Sequence, residues 1–164
     1  MRRRYQSAPH PENLFDLAVA LQRSGRRAEA ATAFRDFETA ALRESESADN
    51  ANRELIFYYT DYSRQPERAL PVARRELARR RDVHTLDAAA WAFRCNNKPA
   101  YASREIQAAL KVGVRDPQIF YHAGMIAASR NDRPSARRYL SDSLALNPHS
   151  DVADTVRKAL ARLN

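Results

Sequence analysis

The sequence predicts an all-α protein, an α-solenoid of antiparallel helix pairs. Three observations carry that expectation. The 164 residues include 30 Ala and 25 Arg but only 3 Gly. Ala, Leu, Arg and Glu are good helix formers, and three glycines cannot supply the many tight turns of a β-sandwich or barrel. Apolar residues recur at helical spacing in runs separated by polar breakers. Finally, the chain resembles itself at a shift of 34 residues. Gly25, Gly113 and Gly124 lie too far apart for a phosphate-cradling loop, and the lone Cys95 excludes an internal disulfide or a thiolate zinc site.

The repeat is clearest in the second half. Under the 34-residue shift Leu86 falls on Phe120, Ala89 on Ala123, Ala90 on Gly124, Ala102 on Ala136, Ile106 on Leu140 and Leu110 on Leu144. The breaker Asn96-Asn97-Lys98-Pro99 falls on Arg130-Asn131-Asp132-Arg133. Upstream, Leu14, Leu17, Ala18 and Leu21 form a first helix face, and Ser24-Gly25-Arg26-Arg27 forms a turn with Gly25 as a left-handed cap. Ala30, Phe34 and Phe37 form the second face, with a helix running through Leu42 into a loop at Glu46–Asp49. Another copy has Leu55, Ile56 and Tyr59, a turn at Ser63–Pro66, then Ala69, Ala73 and Leu77. It needs a one-residue adjustment, with Phe57 near the small-residue position. A last amphipathic helix, with Ser150 as its cap, carries Val152, Val156, Ala159, Leu160 and Leu163.

These elements predict an N-terminal tail over 1–10 and one superhelical domain over 11–164. Its units span about 11–49, 50–82, 83–116 and 117–150, with a cap helix over 151–163. Small residues stand where paired helices must approach to about 8–10 Å: Ala18, Ala90 and Gly124 on first helices, Ala30, Ala69, Ala102 and Ala136 on second ones. Such hairpins bury their apolar faces only by stacking.

A 34-residue helical hairpin with these small and large positions resembles the tetratricopeptide repeat, in a bacterial-type version. The last unit matches best, through Phe120, Ala123, Gly124, Ala127, Ala136, Leu140, Ser143 and Pro148, and the likeness covers about 11–149. The resemblance implies that first helices line a concave groove. At about 100° per residue, the face opposite Leu86 and Phe93 carries His84, Asp87, Trp91, Arg94 and Cys95. The same offsets give Glu54, Tyr58, Asp61 and Tyr62 in the second unit, Gln118, Tyr121, Met125 and Ser129 in the fourth, and Glu12, Phe15, Val19, Gln22 and Arg23 in the first. Aromatic anchors among charges are the composition of binding hot spots. The expected groove residues are therefore Glu54, Tyr58, Asp61, Tyr62, His84, Asp87, Trp91, Arg94, Tyr121 and Met125. The competing reading has these aromatics packing between repeats. Phe15 and Val19 occupy the places where the family's carboxylate-clamping members need polar side chains.

The formal net charge of +8 is mostly arginine, densest at Arg74, Arg75, Arg79, Arg80 and Arg81. These residues read either as a solvated outer face paired with Glu67 and Glu76, or as a convex strip for a polyanion. Single-strand binders interleave rings and cations, and here the rings fall on the other face, so nucleic acid is the lesser expectation. The four histidines, His10, His84, His122 and His149, never pair at metal-ligand spacing. There is no serine elbow and no cofactor fingerprint. The sequence thus predicts a non-catalytic scaffold, without metal or cofactor, that binds a protein or peptide as a monomer or weak homo-oligomer. Self-association through the solenoid ends is a further alternative. No apolar run reaches membrane-spanning length, and none follows Met1-Arg-Arg-Arg-Tyr as a signal peptide would, so the cytoplasm is the favoured location.

Overall fold

The computed structural model describes residues 10–163, so the expected tail lies, except for His10, outside the described residues. Among the described residues the chain forms nine α-helices and no strand. They are α1 (Pro11–Arg23), α2 (Arg27–Glu44), α3 (Asn52–Phe57), α4 (Pro66–Arg79), α5 (Val83–Cys95), α6 (Pro99–Lys111), α7 (Pro117–Ser129), α8 (Arg133–Leu146) and α9 (Ala153–Arg162). A single π-helical turn, Tyr58–Tyr62, continues α3. No helix among them is long and apolar enough to cross a membrane.

Helices pack in adjacent pairs: α1 on α2, α3 on α4, α5 on α6, α7 on α8. Each hairpin turns through one left-handed residue, Gly25, Arg64, Asn97 or Asn131, at φ of 76°, 57°, 53° and 60°. Gly adopts that region freely and Asn tolerates it. The residue after it closes the turn. Arg26 N–H donates to the Leu21 carbonyl at 3.0 Å, Lys98 to Phe93 at 2.9 Å and Asp132 to Ala127 at 3.0 Å. In the second pair the equivalent bond runs from Gln65 to Tyr59 at 3.0 Å and spans one residue more. The extra residue is the π turn, and it accounts for the one-residue adjustment that the second unit requires. It also moves the small-residue position from Phe57 to Ile56, which is buried. Two first helices open alike. The Asp82 carboxylate accepts from the His84 and Thr85 N–H groups, and Asp116 from those of Gln118 and Ile119.

The small residues do what their spacing predicts. Ala18, Ala30, Ala69, Ala90, Ala102 and Ala136 are wholly buried between helices. At Gly124 an added Cβ would lie 2.6 Å from Leu140 Cγ and 3.2 Å from the Ala136 carbonyl oxygen. The terminal helix corrects one expectation. It starts after Val152, and Ser150 Oγ is buried without a hydrogen-bond partner rather than capping it. Its Ala153 and Val156 are buried and it packs on α8.

Gly124→Ala tests this close approach. In an exposed helix the change gains about 1 kcal/mol. Here overpacking costs about 1–3 kcal/mol, so urea unfolding should show net destabilisation. In the Leu140→Ala background the same change should cost less, because Leu140 Cγ is gone. Additive effects of the two substitutions would refute the contact.

Candidate functional site

The first helices of all four pairs face a cavity of about 1160 Å³. From α1 come Phe15, Asp16, Val19 and Arg23. From α3 and its π turn come Arg53, Glu54, Phe57, Thr60, Asp61 and Tyr62. Trp91 comes from α5, and Gln118, Tyr121 and His122 from α7. The turn ahead of α9 and its first residues add Asp151, Val152 and Thr155. Arg23 and Asp151 form an ion pair, so the first helix and the segment before the last one meet across the cavity.

The wall is organised around Trp91. Its indole N–H donates to Asp61 Oδ1 at 2.8 Å, tying α5 to the π turn. The His122 ring stacks on it at 4.2 Å and 19°, and Tyr121 lies 5.5 Å away. The Arg94 guanidinium lies over the indole at 4.7 Å while its Nε donates to the Met125 carbonyl at 3.2 Å. Behind this wall His122 Nδ1 and Asp87 Oδ1 share a 2.8 Å hydrogen bond, with both side chains buried. The other Asp87 oxygen, Oδ2, has no partner.

Of the ten groove residues expected from the sequence, five line the cavity: Glu54, Asp61, Tyr62, Trp91 and Tyr121. Asp87 and Arg94 brace the wall from behind and beside it. Tyr58 does not face the cavity. It is buried against Phe34 and Phe37 at 5.3 and 5.9 Å, as the competing packing reading holds. Met125 is half-buried against the core and offers its carbonyl to Arg94. His84 is exposed in the first turn of α5 and is not among the lining residues. The residues that sequence reasoning missed are Asp16, Ala20, Ser24, Arg53, Phe57, Thr60, His122 as a wall residue, and Asp151, Val152 and Thr155.

The arginine run does a different job. Arg75 and Arg79 bind Glu46 at 2.8 and 2.7 Å, Arg80 binds Glu76 at 2.7 Å, and Arg81 binds Glu105 at 2.7 Å. Arg79 also donates to the Ser45 carbonyl and Arg80 to Asn50 Oδ1. Glu76 and Glu105 are almost wholly buried, and a buried carboxylate persists only when paired and hydrogen-bonded. Four of the five cations therefore pin the 45–50 loop and neutralise interior carboxylates, while Arg74 is exposed on α4.

The cavity shifts the protonation of its own acids. Glu54 is pushed above the ordinary carboxyl range by burial, with Glu12 and Asp16 adding to the effect and Arg53 opposing it. Asp61 is exposed to the water of the cavity, yet protein crowds it on most sides. That desolvation raises it against the hydrogen bond from Trp91. Burial likewise pushes the Cys95 thiol up to about 11, despite Arg94 beside it.

Comparison with family models, with curated proteins and with solved structures finds no match to this chain.

Two predictions follow from these shifts. A carboxyl raised in the folded state binds its proton more tightly there than in the unfolded chain, so its contribution to stability falls as pH rises above about 4. In urea titrations at pH 7, Glu54→Gln should therefore unfold no earlier than wild type, and wild type should gain on the variant as pH falls toward about 5. A constant difference across that interval would contradict the shift. Cys95 in the folded protein should alkylate at pH 8 about 100-fold more slowly than an unperturbed thiol, because its thiolate fraction is lower by that factor. Reaction at the denatured rate would show the thiol to be unshifted.

Proposed function

We propose that this chain is a non-catalytic interaction module of the bacterial tetratricopeptide-repeat type, holding a peptide or partner-protein segment in the central cavity. One observation carries the reading: the inner faces of all four helix pairs converge on one cavity whose aromatic rings are already fixed in place. At about 1160 Å³ the cavity exceeds the roughly 300–1,000 Å³ of small-molecule pockets, which favours a chain segment over a metabolite. Rigid aromatic anchors lose little conformational entropy on binding, and Trp and Tyr are over-represented among residues that carry binding energy. Trp91 is held at both its N–H and its ring face before any ligand arrives.

Support for the polyanion alternative is weaker. Arg75, Arg79, Arg80 and Arg81 already have carboxylate partners, and a phosphate would have to displace them. The 34-residue hairpin pattern supports the tetratricopeptide reading.

A display library of random peptides, panned on the immobilised protein, tests the proposal. Recovered peptides should change Trp91 fluorescence. They should lose about 10-fold or more in affinity for Tyr121→Ala and Tyr62→Ala, the size of a hot-spot truncation. The outer-face changes Arg74→Ala and Tyr101→Ala should have no effect. Denaturation curves establish that each variant is folded. Peptides that bind all four variants equally would sink the cavity as the binding site.

A further inference from the structure

A second surface lies on the second helices of the last two pairs. Neither α6 nor α8 contributes a side chain to the central cavity. Between them, with α7 beneath, opens a slot of about 270 Å³. Its floor is apolar, built by Ile106, Ala123, Ile126 and Ala127, all buried. Its rim offers hydrogen-bonding groups, Ser103 and Gln107 from α6 and Ser135 from α8. Tyr139 and Arg130 also line it.

From Lys98 to Leu146 the chain has eight lysines and arginines against four carboxylates, and none of the eight falls on α7. Most of the acids are engaged within the fold. Glu105 is buried and paired with Arg81 and Arg104. Asp116 caps α7. Asp132, at the slot rim, caps α8 by accepting from the Ser135 N–H at 3.1 Å, with Arg130 and Arg138 close enough to act on its charge. Asp142 is half-buried, one turn along α8 from Arg138 and not in an ion pair with it. Among the described residues no carboxylate comes within ion-pair distance of Arg115, Arg130, Arg133 or Arg138, all of them exposed. In this they differ from Arg75, Arg79, Arg80 and Arg81. Arg130 donates across the slot to a neutral acceptor, Ser103 Oγ, and an ionised phosphate oxygen is a stronger one.

Rings interleave with these cations. Arg138 lies over Tyr139 at 4.7 Å, Arg115 over Phe120 at 6.0 Å and Arg104 over Tyr101 at 5.5 Å. Phe120 and Tyr139 are 6.2 Å apart, which joins two of these pairs. Single-stranded nucleic acid matches the combination, with repeated phosphates and planar bases that stack on rings and guanidiniums. The slot is smaller than the roughly 300–1,000 Å³ of small-molecule pockets, and it suits one splayed base whose edge meets Ser103, Gln107 and Ser135. An acidic peptide would meet the charges but would have to bury a carboxylate on the apolar floor.

We propose that the surface formed by α6, α8 and their turns binds single-stranded nucleic acid, with one base in the slot against Tyr139 and phosphates on Arg130, Arg138 and Arg115. The chain's net +8 favours the approach of such a strand at long range. This surface shares no residue with the central cavity or with the arginine run of α4, so it does not depend on the peptide reading.

The test titrates the full chain against a dye-labelled uridine 12-mer by fluorescence anisotropy at rising salt. Affinity should fall with a log–log slope of about −0.7 per phosphate contacted. An abasic 12-mer with the same phosphates should bind about 5-fold or more weakly, the size of one base–ring stack. Tyr139→Leu should erase that difference and leave heparin binding unchanged. Arg130→Gln and Arg138→Gln, at exposed positions, should each weaken the uridine strand and flatten its slope by about one contact. Tyr139 also packs on the core, so urea curves check that its variant folds. The abasic comparison needs no variant. Tyr62→Ala and Tyr121→Ala, on the central cavity, should leave the strand's affinity unchanged. Equal binding of the uridine and abasic strands overturns the proposal, as does a glutamate 12-mer that binds as tightly as the uridine strand. Loss of strand binding in the cavity variants, no effect of the two arginine variants, or no binding at low salt overturns it too.

Discussion

Close approach of paired helices is the constraint on which the rest depends. Ala18, Ala90 and Gly124 present almost nothing to their partners, so the second helix of each pair can lie against the first. Trp91, Tyr121 and Phe15 stand about 60–100° around the same helices from those small positions and line the cavity. The second pair departs from the rule, with Ile56 at the small position, and it is also where the helix takes an extra residue into a π turn. Such bulges often accompany functional positions. Here it carries Asp61 and Tyr62 onto the cavity wall.

Charge is distributed by the same logic of layers. Outer arginines are not simply a solvated coat, since several reach inward to carboxylates that the packing has buried. Glu105 is wholly buried and is held by Arg81 and Arg104 together. Glu76 receives Arg80 and also accepts from Asn52 Nδ2 at 2.8 Å. Removing one member of such a set leaves a charge uncompensated, which costs several kcal/mol, whereas an exposed pair is worth about 0–1 kcal/mol. The long loop between α2 and α3 is thus fastened at Ser45, Glu46 and Asn50, and the additional length of the first unit becomes ordered structure.

The repeat was legible because spacing survives in a single sequence even when residue identity drifts. Helix arithmetic at 100° per residue found Trp91, Tyr121, Phe15 and Val19, all on regular α-helix. It failed at Tyr58, because the π turn changes the angle per residue and turns that ring toward Phe34. His122 was legible only as one of four histidines without metal-ligand spacing, not as part of the site. Its partner, Asp87, lies one repeat away and is found only once neighbouring units are stacked. The contribution of Asp151 and Val152 was beyond the sequence for a larger-scale reason. It depends on the accumulated curvature of four pairs, which no local pattern encodes.

In an open solenoid the number of repeats is free to drift, since each unit touches only its neighbours and an added copy lengthens the surface without altering it. Arg23 and Asp151 instead join the first helix to the segment before the last one, a contact between units that are not neighbours, although both side chains are exposed. An inserted or deleted unit would move Asp151 relative to Arg23 and separate the pair. Copy number, normally the most permissive variable in the history of a repeat protein, here also decides whether the first and last elements meet.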